Sequence, residues 1–303
     1  MKDLSVSVAG VLFPNPVIAA SGTYGFGDDY TDLYPLKRLG GISCKGTTLE
    51  PRHGNPSPRI AETTSGMLNS VGLQNPGIDI FIKGYLPKLK REGNVIIANI
   101  SGATLDDYAK TSEKLDNTSI DMIEVNISCP NVKEGGASWG ISCEGTAAVT
   151  RAVRAVTKKP LMVKLTPNVT NITDIAKAAE SEGADCVSLI NTLLGMRIDI
   201  KTRRPILKNN VGGFSGPAVF PVALRMVYQV ARAVNIDVVG LGGISTADDA
   251  VEMMMAGAKA VQIGTAIFTD PFTPLKIIDG LEAYMQANNV SSLEEIVGTV
   301  QPW

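Results

Sequence analysis

The chain is short of the groups that most often carry acid–base, metal or electron-transfer chemistry. It has a single histidine, His53, set in a Pro/Gly-rich segment, so a general base here is not expected to be an imidazole. The four cysteines, Cys44, Cys129, Cys143 and Cys186, show no Cys-x-x-Cys spacing, which argues against a zinc site or an iron–sulfur cluster and leaves reduced thiols and no metal as the reading. No G-x-G-x-x-G follows an apolar run, so a dinucleotide fingerprint is missing too. No run approaches the ~20 apolar residues of a membrane span, and Met1-Lys-Asp-Leu-Ser-Val-Ser lacks the apolar core of a signal peptide, so a cytoplasmic protein is expected. A net charge of -2 and a pI near 5.6 supply no basic field for nucleic acid or an anionic membrane. A small-molecule partner is what remains.

The 303 residues, 44% apolar and 19% charged, have the make-up of a soluble globular protein, and one barrel-type domain over 1–303 fits that length. Short β-like runs recur, most of them leading through a loop into a helical pattern, which is the mark of parallel βα units. Eight are found: Val17 to Ala20, Gly41 to Cys44, Val95 to Ala98, Met122 to Val125, Leu161 to Val163, Cys186 to Leu189, Val238 to Leu241 and Ala260 to Ile263. Helical patterns run from Leu105 to Leu115, Gly145 to Val156, Ile172 to Glu182, Pro217 to Val234, Ala247 to Ala256 and Pro274 to Gln286. Thr246 with Asp249 three residues on imitates a capping box, with Asp in place of Glu. Eight such units in about 250 residues predict an α/β fold, the (β/α)8 TIM barrel, with its active site at the C-terminal strand ends.

Three segments stand outside the repeat. Leu4 to Phe13 alternates as a hairpin that would close the barrel bottom. Glu50 to Asp79 is a long insertion rich in Pro, Gly and Asn, read as lacking secondary structure and therefore as functional. A shorter insertion, Gly195 to Gly216, carries Arg197, Arg203 and Arg204, read as solvated or at a subunit contact.

The residues that follow the eight runs are polar, small or cationic: Ser21 and Gly22, Lys45 and Gly46, Asn99, Asn126 and Cys129, Lys164, Asn191 and Thr192, Gly242 and Gly243, Gly264 and Thr265. Glycines at the last two ends let backbone N–H groups approach a ligand beside a helix start, which suits a phosphate; they also serve as tight βα turns. Phosphate there fits flavin mononucleotide and phosphorylated sugars alike. A lysine such as Lys164 is costly to bury without an anionic partner; it would stabilise charge near N1 of a reduced flavin, or form a Schiff base. Lys45 reads as a ligand for a substrate carboxylate or as a satisfied surface lysine. The amides Asn69, Asn99, Asn126 and Asn191 offer paired donors and acceptors that suit a pyrimidine ring or an isoalloxazine edge.

The stretch from Glu124 to Gly136 ties these features together. It ends an apolar, β-branched run, breaks at Pro130 and is loosened by Gly135 and Gly136, with Cys129 at the junction. A cysteine there is more often a small buried hydrophobe than a base, and its place at a strand end beside Asn126 and Asn131 narrows that margin.

Ser128-Cys-Pro-Asn131, Asn69-Ser-Val-Gly-Leu-Gln-Asn75, Ser43-Cys-Lys-Gly-Thr-Thr48 and the paired glycine loops together resemble the class 1 dihydroorotate dehydrogenases, over essentially the whole chain. Cysteine in the Cys-Pro-Asn motif is the class 1 form. Within class 1, Pro51 to Arg59, Glu62 to Asn69 and Val132 to Gly136 look most like the catalytic subunit of the NAD-dependent class 1B enzymes. The resemblance implies oxidation of dihydroorotate to orotate in pyrimidine (UMP) biosynthesis, with Cys129 taking the C5 proton while the C6 hydride goes to flavin N5. It places Lys45 and Lys164 beside Cys129 in the catalytic set. It gives orotate to Lys45, Asn69, Ser70, Val71, Gly72, Leu73, Asn126, Asn191 and Thr192. It gives FMN to Ser21, Lys45, Gly46, Asn99, Asn126, Lys164, Ile190, Gly216, Gly242, Gly243, Gly264 and Thr265. Pro130 to Gly140 would be a lid over the substrate.

The resemblance also implies a homodimer contact and a second, electron-transfer subunit bearing FAD and a [2Fe-2S] cluster, two of each subunit forming a heterotetramer that delivers electrons to NAD. Three other readings stay open: a class 1A enzyme that reduces fumarate, a tRNA-dihydrouridine synthase, and a non-redox phosphate-binding barrel that uses Lys164.

Overall fold

The computed structural model describes residues 2–127 and 139–303. Its centre is a closed barrel of eight strands, Val17–Ala19, Gly41–Ser43, Val95–Ile100, Met122–Asn126, Leu161–Lys164, Cys186–Leu189, Asp237–Leu241 and Ala260–Ile263. Each pairs in parallel with the next, and the eighth closes on the first through Val261 opposite Val17 and Ile263 opposite Ala19. All eight expected strands are present. They read as continuous apolar runs because helices cover their outer face, so both faces are buried. The third strand extends two residues beyond its apolar run, so Asn99 sits within a strand; Asn126 and Lys164 are the last residues of theirs.

The expected helices appear as Leu105–Asp116, Cys143–Arg154, Ile172–Ser181, Phe220–Ala231, Ala247–Ala256 and Thr273–Ala287. Thr246 and Asp249 form the reciprocal cap, and Thr104 with Asp107 makes a second one. A helical stretch that the sequence pattern hid lies between the second and third strands: Ile78–Ile80, a π turn at Phe81–Tyr85, and Leu86–Glu92. Gly84 and Pro87 interrupt its period, although Ile78, Phe81, Leu86 and Leu89 are buried.

The N-terminal hairpin, Val6–Val8 with Val11–Phe13, turns through Ala9 and Gly10, both at positive φ, as a two-residue loop requires. The Ala9 N–H donates to the Asp237 carboxylate at 2.8 Å, at the N-terminal end of the seventh strand, which puts the hairpin at the barrel bottom as expected.

The expectation for the long insertion needs correcting. Ile60–Thr63 and Gly66–Asn69 form a hairpin, and with Gly212–Ser215 of the second insertion and Leu193–Gly195, which leads into it, they build a four-stranded antiparallel sheet. These strands are three or four residues long, and the central pairing, Gly213 opposite Asn69, joins distant parts of the chain. Local pattern carries no trace of such pairing, and the Thr64-Ser65 turn lacks the Asn-Gly signal.

Candidate active site

Most of the barrel interior is aliphatic, but six strands contribute buried polar side chains: Ser43, Asn99, Glu124 with Asn126, Lys164, Ser188 and Gln262. Glu124 is their hub. It accepts from Ser43 Oγ at 2.6 Å, Asn99 Nδ2 at 2.6 Å, Ser188 Oγ at 2.8 Å and Gln262 Nε2 at 2.7 Å. Burial alone would push its carboxyl up. The Lys164 ammonium, then the bonds from Ser43, Gln262 and Asn99, outweigh burial and hold Glu124 below the usual carboxylate value. Lys164 itself donates to Ser21 Oγ at 3.3 Å, which ties the fifth strand end to the first.

Above this layer the C-terminal strand ends open into a cavity of about 500 Å³. Ser21, Lys45, Gly46, Asn99, Asn126 and Lys164 line it from the first five strands. Ile190, Asn191 and Thr192 come from the sixth, Gly242 and Gly243 from the seventh, Gly264 and Thr265 from the eighth. Asn69, Val71, Gly72 and Leu73 reach it from the first insertion and Gly216 from the second. The two insertions meet at its rim, where Asn69 Nδ2 donates to the Gly213 carbonyl at 3.5 Å.

Ser70, between Asn69 and Val71, does not itself line the cavity. Its side chain is fully buried behind the wall, its N–H donating to the Arg59 carbonyl at 2.7 Å. Cys129 and most of the expected lid, 130–138, lie outside the described residues; Trp139 and Gly140 are described, and the Gly140 N–H donates to the Ile127 carbonyl at 3.0 Å. Arg197, Arg203 and Arg204 are exposed and do not line the cavity.

Packing holds the site residues in place. The Asn126 carbonyl accepts from Tyr108 Oη at 2.9 Å and Ser101 Oγ at 3.4 Å. Asn191 Oδ1 accepts the Thr192 N–H at 2.9 Å, and Asn191 Nδ2 lies 3.5 Å from Asn126 Oδ1, so the two amides act as a pair. Asn75 supports the Val71–Leu73 loop from behind, accepting the Thr48 and Gly77 N–H groups and donating to the Leu73 carbonyl at 2.7 Å. That matters because Leu73 stands at φ 56°, a left-handed conformation a leucine adopts only when its surroundings enforce it. Among the described cysteines, Cys44 and Cys186 are buried, and burial pushes their thiols up, which makes them poor bases.

Residue reasoning left the hub, Glu124, and its donors Ser43, Ser188 and Gln262 without a role. The signal was there: a polar residue in the middle of each of Met-Ile-Glu-Val-Asn and Ala-Val-Gln-Ile, runs buried along their whole length, demands partners.

A family profile described as dihydroorotate dehydrogenase matches residues 3–285. The chain belongs to the dihydroorotate dehydrogenase family. It is 54% identical to the protein named "dihydroorotate dehydrogenase B (NAD(+)), catalytic subunit" of Bacteroides thetaiotaomicron, over 99% of this chain and 100% of that one. It is 53% identical to the protein of the same name from Alkaliphilus oremlandii, covering 98% of each, and 52% identical to that of Thermoanaerobacter pseudethanolicus, covering 99% of each. The fold matches a crystal structure of an Eimeria tenella dihydroorotate dehydrogenase with a TM-score of 0.81 at 22% identity, covering 98% of this chain and 88% of the other. Membership in this dehydrogenase family agrees with the class that the strand-end motifs resemble. Among the described residues, no helix is long and apolar enough to cross a membrane.

Proposed function

We propose that this chain, as one barrel domain over 1–303, binds FMN in the strand-end cavity and oxidises dihydroorotate to orotate in the cytoplasm, passing electrons through a partner subunit to NAD. The observation that carries the reading is the convergence on one cavity of two lysines, Lys45 and Lys164, and four amides, Asn69, Asn99, Asn126 and Asn191, from segments far apart in the chain. That donor set suits a flat, anionic ring system with alternating C=O and N–H groups better than a sugar.

The cavity also fits the flavin on its own terms. Among the described residues, Asn99 Oδ1 and Gln262 Oε1 are buried acceptors without a partner, on side chains that line the cavity. Beside them Gly46 leaves open the space a Cβ would fill, 2.9 Å from Asn99 Oδ1. When bound, FMN supplies a two-electron acceptor for the hydride from C6 of the substrate. Lys164 holds a positive charge at the cavity floor and balances anionic charge there. Gly216, Gly242, Gly243, Gly264 and Thr265 hold the phosphate. Lys45 with Asn69, Asn126, Asn191 and Thr192 holds the carboxylate and ring edges of dihydroorotate, and Cys129 takes the C5 proton.

The relatives' names support a subunit role, and the partner would carry FAD and a [2Fe-2S] cluster in a heterotetramer built on a catalytic dimer. Exposed Leu194, Met196, Ile198 and Ile200 on the second insertion offer apolar surface for a subunit contact. The test is an anaerobic absorbance titration of the purified chain with dihydroorotate, followed by NAD with and without the partner. Bleaching of a flavin band, reversed by NAD only with the partner, is expected. Reversal by fumarate alone would make the enzyme class 1A, and a colourless protein after FMN reconstitution would overturn the reading.

A further inference from the structure

Among the described residues, Glu124 and Lys164 are the only buried charged side chains; the lysine lines the cavity and the glutamate does not. They stand on adjacent parallel strands, where Asn126 pairs with Lys164 and Glu124 with Met162. Side chains two residues apart share a face, so Glu124 points into the barrel one layer below Lys164. The same offset recurs around the barrel: Ser43 precedes Lys45 by two residues, Ser188 precedes Ile190 and Gln262 precedes Gly264, and each of the three earlier residues donates to Glu124. Asn99 is the fourth donor. All four donors are hydroxyls or amides, which orient around the carboxylate without cancelling its charge. The full charge that opposes it is the Lys164 ammonium, the largest influence holding the Glu124 carboxyl low. Among the described residues no carboxylate lines the cavity, so its floor carries a lysine inside and one buried anion just beneath.

We propose that Glu124 acts on the cofactor at one remove, as a positioning residue beneath Lys164: its buried negative charge offsets the lysine and holds down the reduction potential of bound FMN. The inference rests on the FMN reading and adds to it a residue that touches neither flavin nor substrate. Reduction adds negative charge to the flavin, so a lone ammonium at the floor favours the reduced form, and an anion behind it takes part of that advantage away. A flavin that accepts a hydride and must then give its electrons up needs this balance. With Lys164 unopposed it would fill readily and empty poorly. Glu124→Gln keeps the side chain's size and removes only its charge, and so leaves Lys164 unopposed.

The experiment is a spectroelectrochemical titration of the FMN-loaded chain at about pH 8, where carboxylates are ionised, for the wild type and for Glu124→Gln, with thermal unfolding run in parallel. Losing a buried unit charge one layer away should raise the ratio of affinities for reduced and oxidised FMN on the order of tenfold. For a two-electron couple that is a potential about 30 mV higher. A ratio within about twofold of the wild type, or one shifted toward the oxidised form, would overturn the proposal. A merely structural role weakens both redox states alike and leaves the potential where it was. A wild-type chain that takes up no FMN sinks the cofactor reading and this inference with it, whereas FMN bound at an unmoved potential sinks the inference alone. Should Glu124→Gln fail to fold, Glu124→Gln with Lys164→Met removes both buried charges together, a change that barrel interiors tolerate better than the loss of one. Compared with Lys164→Met alone, the double variant should show the same upward step in potential, and equal potentials in the two overturn the proposal.

Discussion

Replacing Lys164 by methionine removes the ammonium at the cavity floor and keeps the length of the side chain. The cost falls on Glu124, which is fully buried and owes its low pKa first to that ammonium once burial has been overcome. Removing one member of a buried charged set costs about 3–5 kcal/mol. Lys164 hydrogen-bonds Ser21 rather than the carboxylate, and Glu124 keeps four donors, so the low end, about 3 kcal/mol at neutral pH, applies. The pH dependence has a definite sign. In the wild type the folded-state pKa of Glu124 lies below its ordinary value of 4.5, so its stabilisation is present above that value and is lost as pH falls through the folded pKa. In the variant the largest offset to burial is gone, so the folded pKa of Glu124 rises and protonation on acidification relieves part of the penalty. The stability gap between wild type and Lys164→Met is therefore largest near about pH 8 and narrows toward about pH 5. Urea unfolding of the flavin-free proteins, followed by circular dichroism across that range, measures it. A gap that stays constant or widens on acidification would refute the claim that Lys164 keeps Glu124 ionised.

Three other outcomes follow from the site. Cys129→Ala should retain FMN and orotate yet slow flavin reduction by dihydroorotate about 10²- to 10⁴-fold in stopped-flow experiments, as loss of a general base does; unchanged reduction kinetics at neutral pH remove Cys129 from that role. Gly46→Ala places a methyl 2.9 Å from Asn99 Oδ1, an atom that Glu124 prevents from moving aside, so FMN affinity should drop at least about tenfold and the urea midpoint of the flavin-free protein should fall as well. Asn75→Ala frees the Thr48 and Gly77 N–H groups and releases Leu73 from its left-handed conformation; unfolding free energy should fall by about 2–3 kcal/mol and the KM for dihydroorotate should rise about tenfold, and an unchanged KM would separate the loop from substrate binding.

The barrel was legible because each strand is short, apolar and bounded by a break, and because a parallel strand buried on both faces needs no partner information to be recognised. Val17 to Ala20 and Ala260 to Ile263 look alike on paper for the same reason that they lie side by side in the sheet. The Phe81–Tyr85 turn and its helix escaped because Gly84 and Pro87 break the period, while Phe81 and Leu89 are kept helical by the core they fill. The sheet over the cavity escaped for a different reason. Gly66–Asn69 is a strand only because Gly212–Ser215 lies against it, and nothing within four residues announces a partner that arrives from the second insertion.

The same distinction separates the wall of the site from its floor. Residues on the wall, such as Lys45, Asn126 and Asn191, stand where apolar runs end, so the chain itself marks them. Glu124 stands inside a run, and what it does depends on Ser43, Asn99, Ser188 and Gln262, contributed by four other strands. A buried anion in an aliphatic barrel is tolerable only if its acceptor sites are filled and a cation is near, and here both conditions are met by side chains of which Asn99, Gln262 and Lys164 also border the cavity. Stability and ligand recognition therefore draw on one hydrogen-bond network. The charge that the fold must neutralise also dictates which way the Asn99 and Gln262 amides turn.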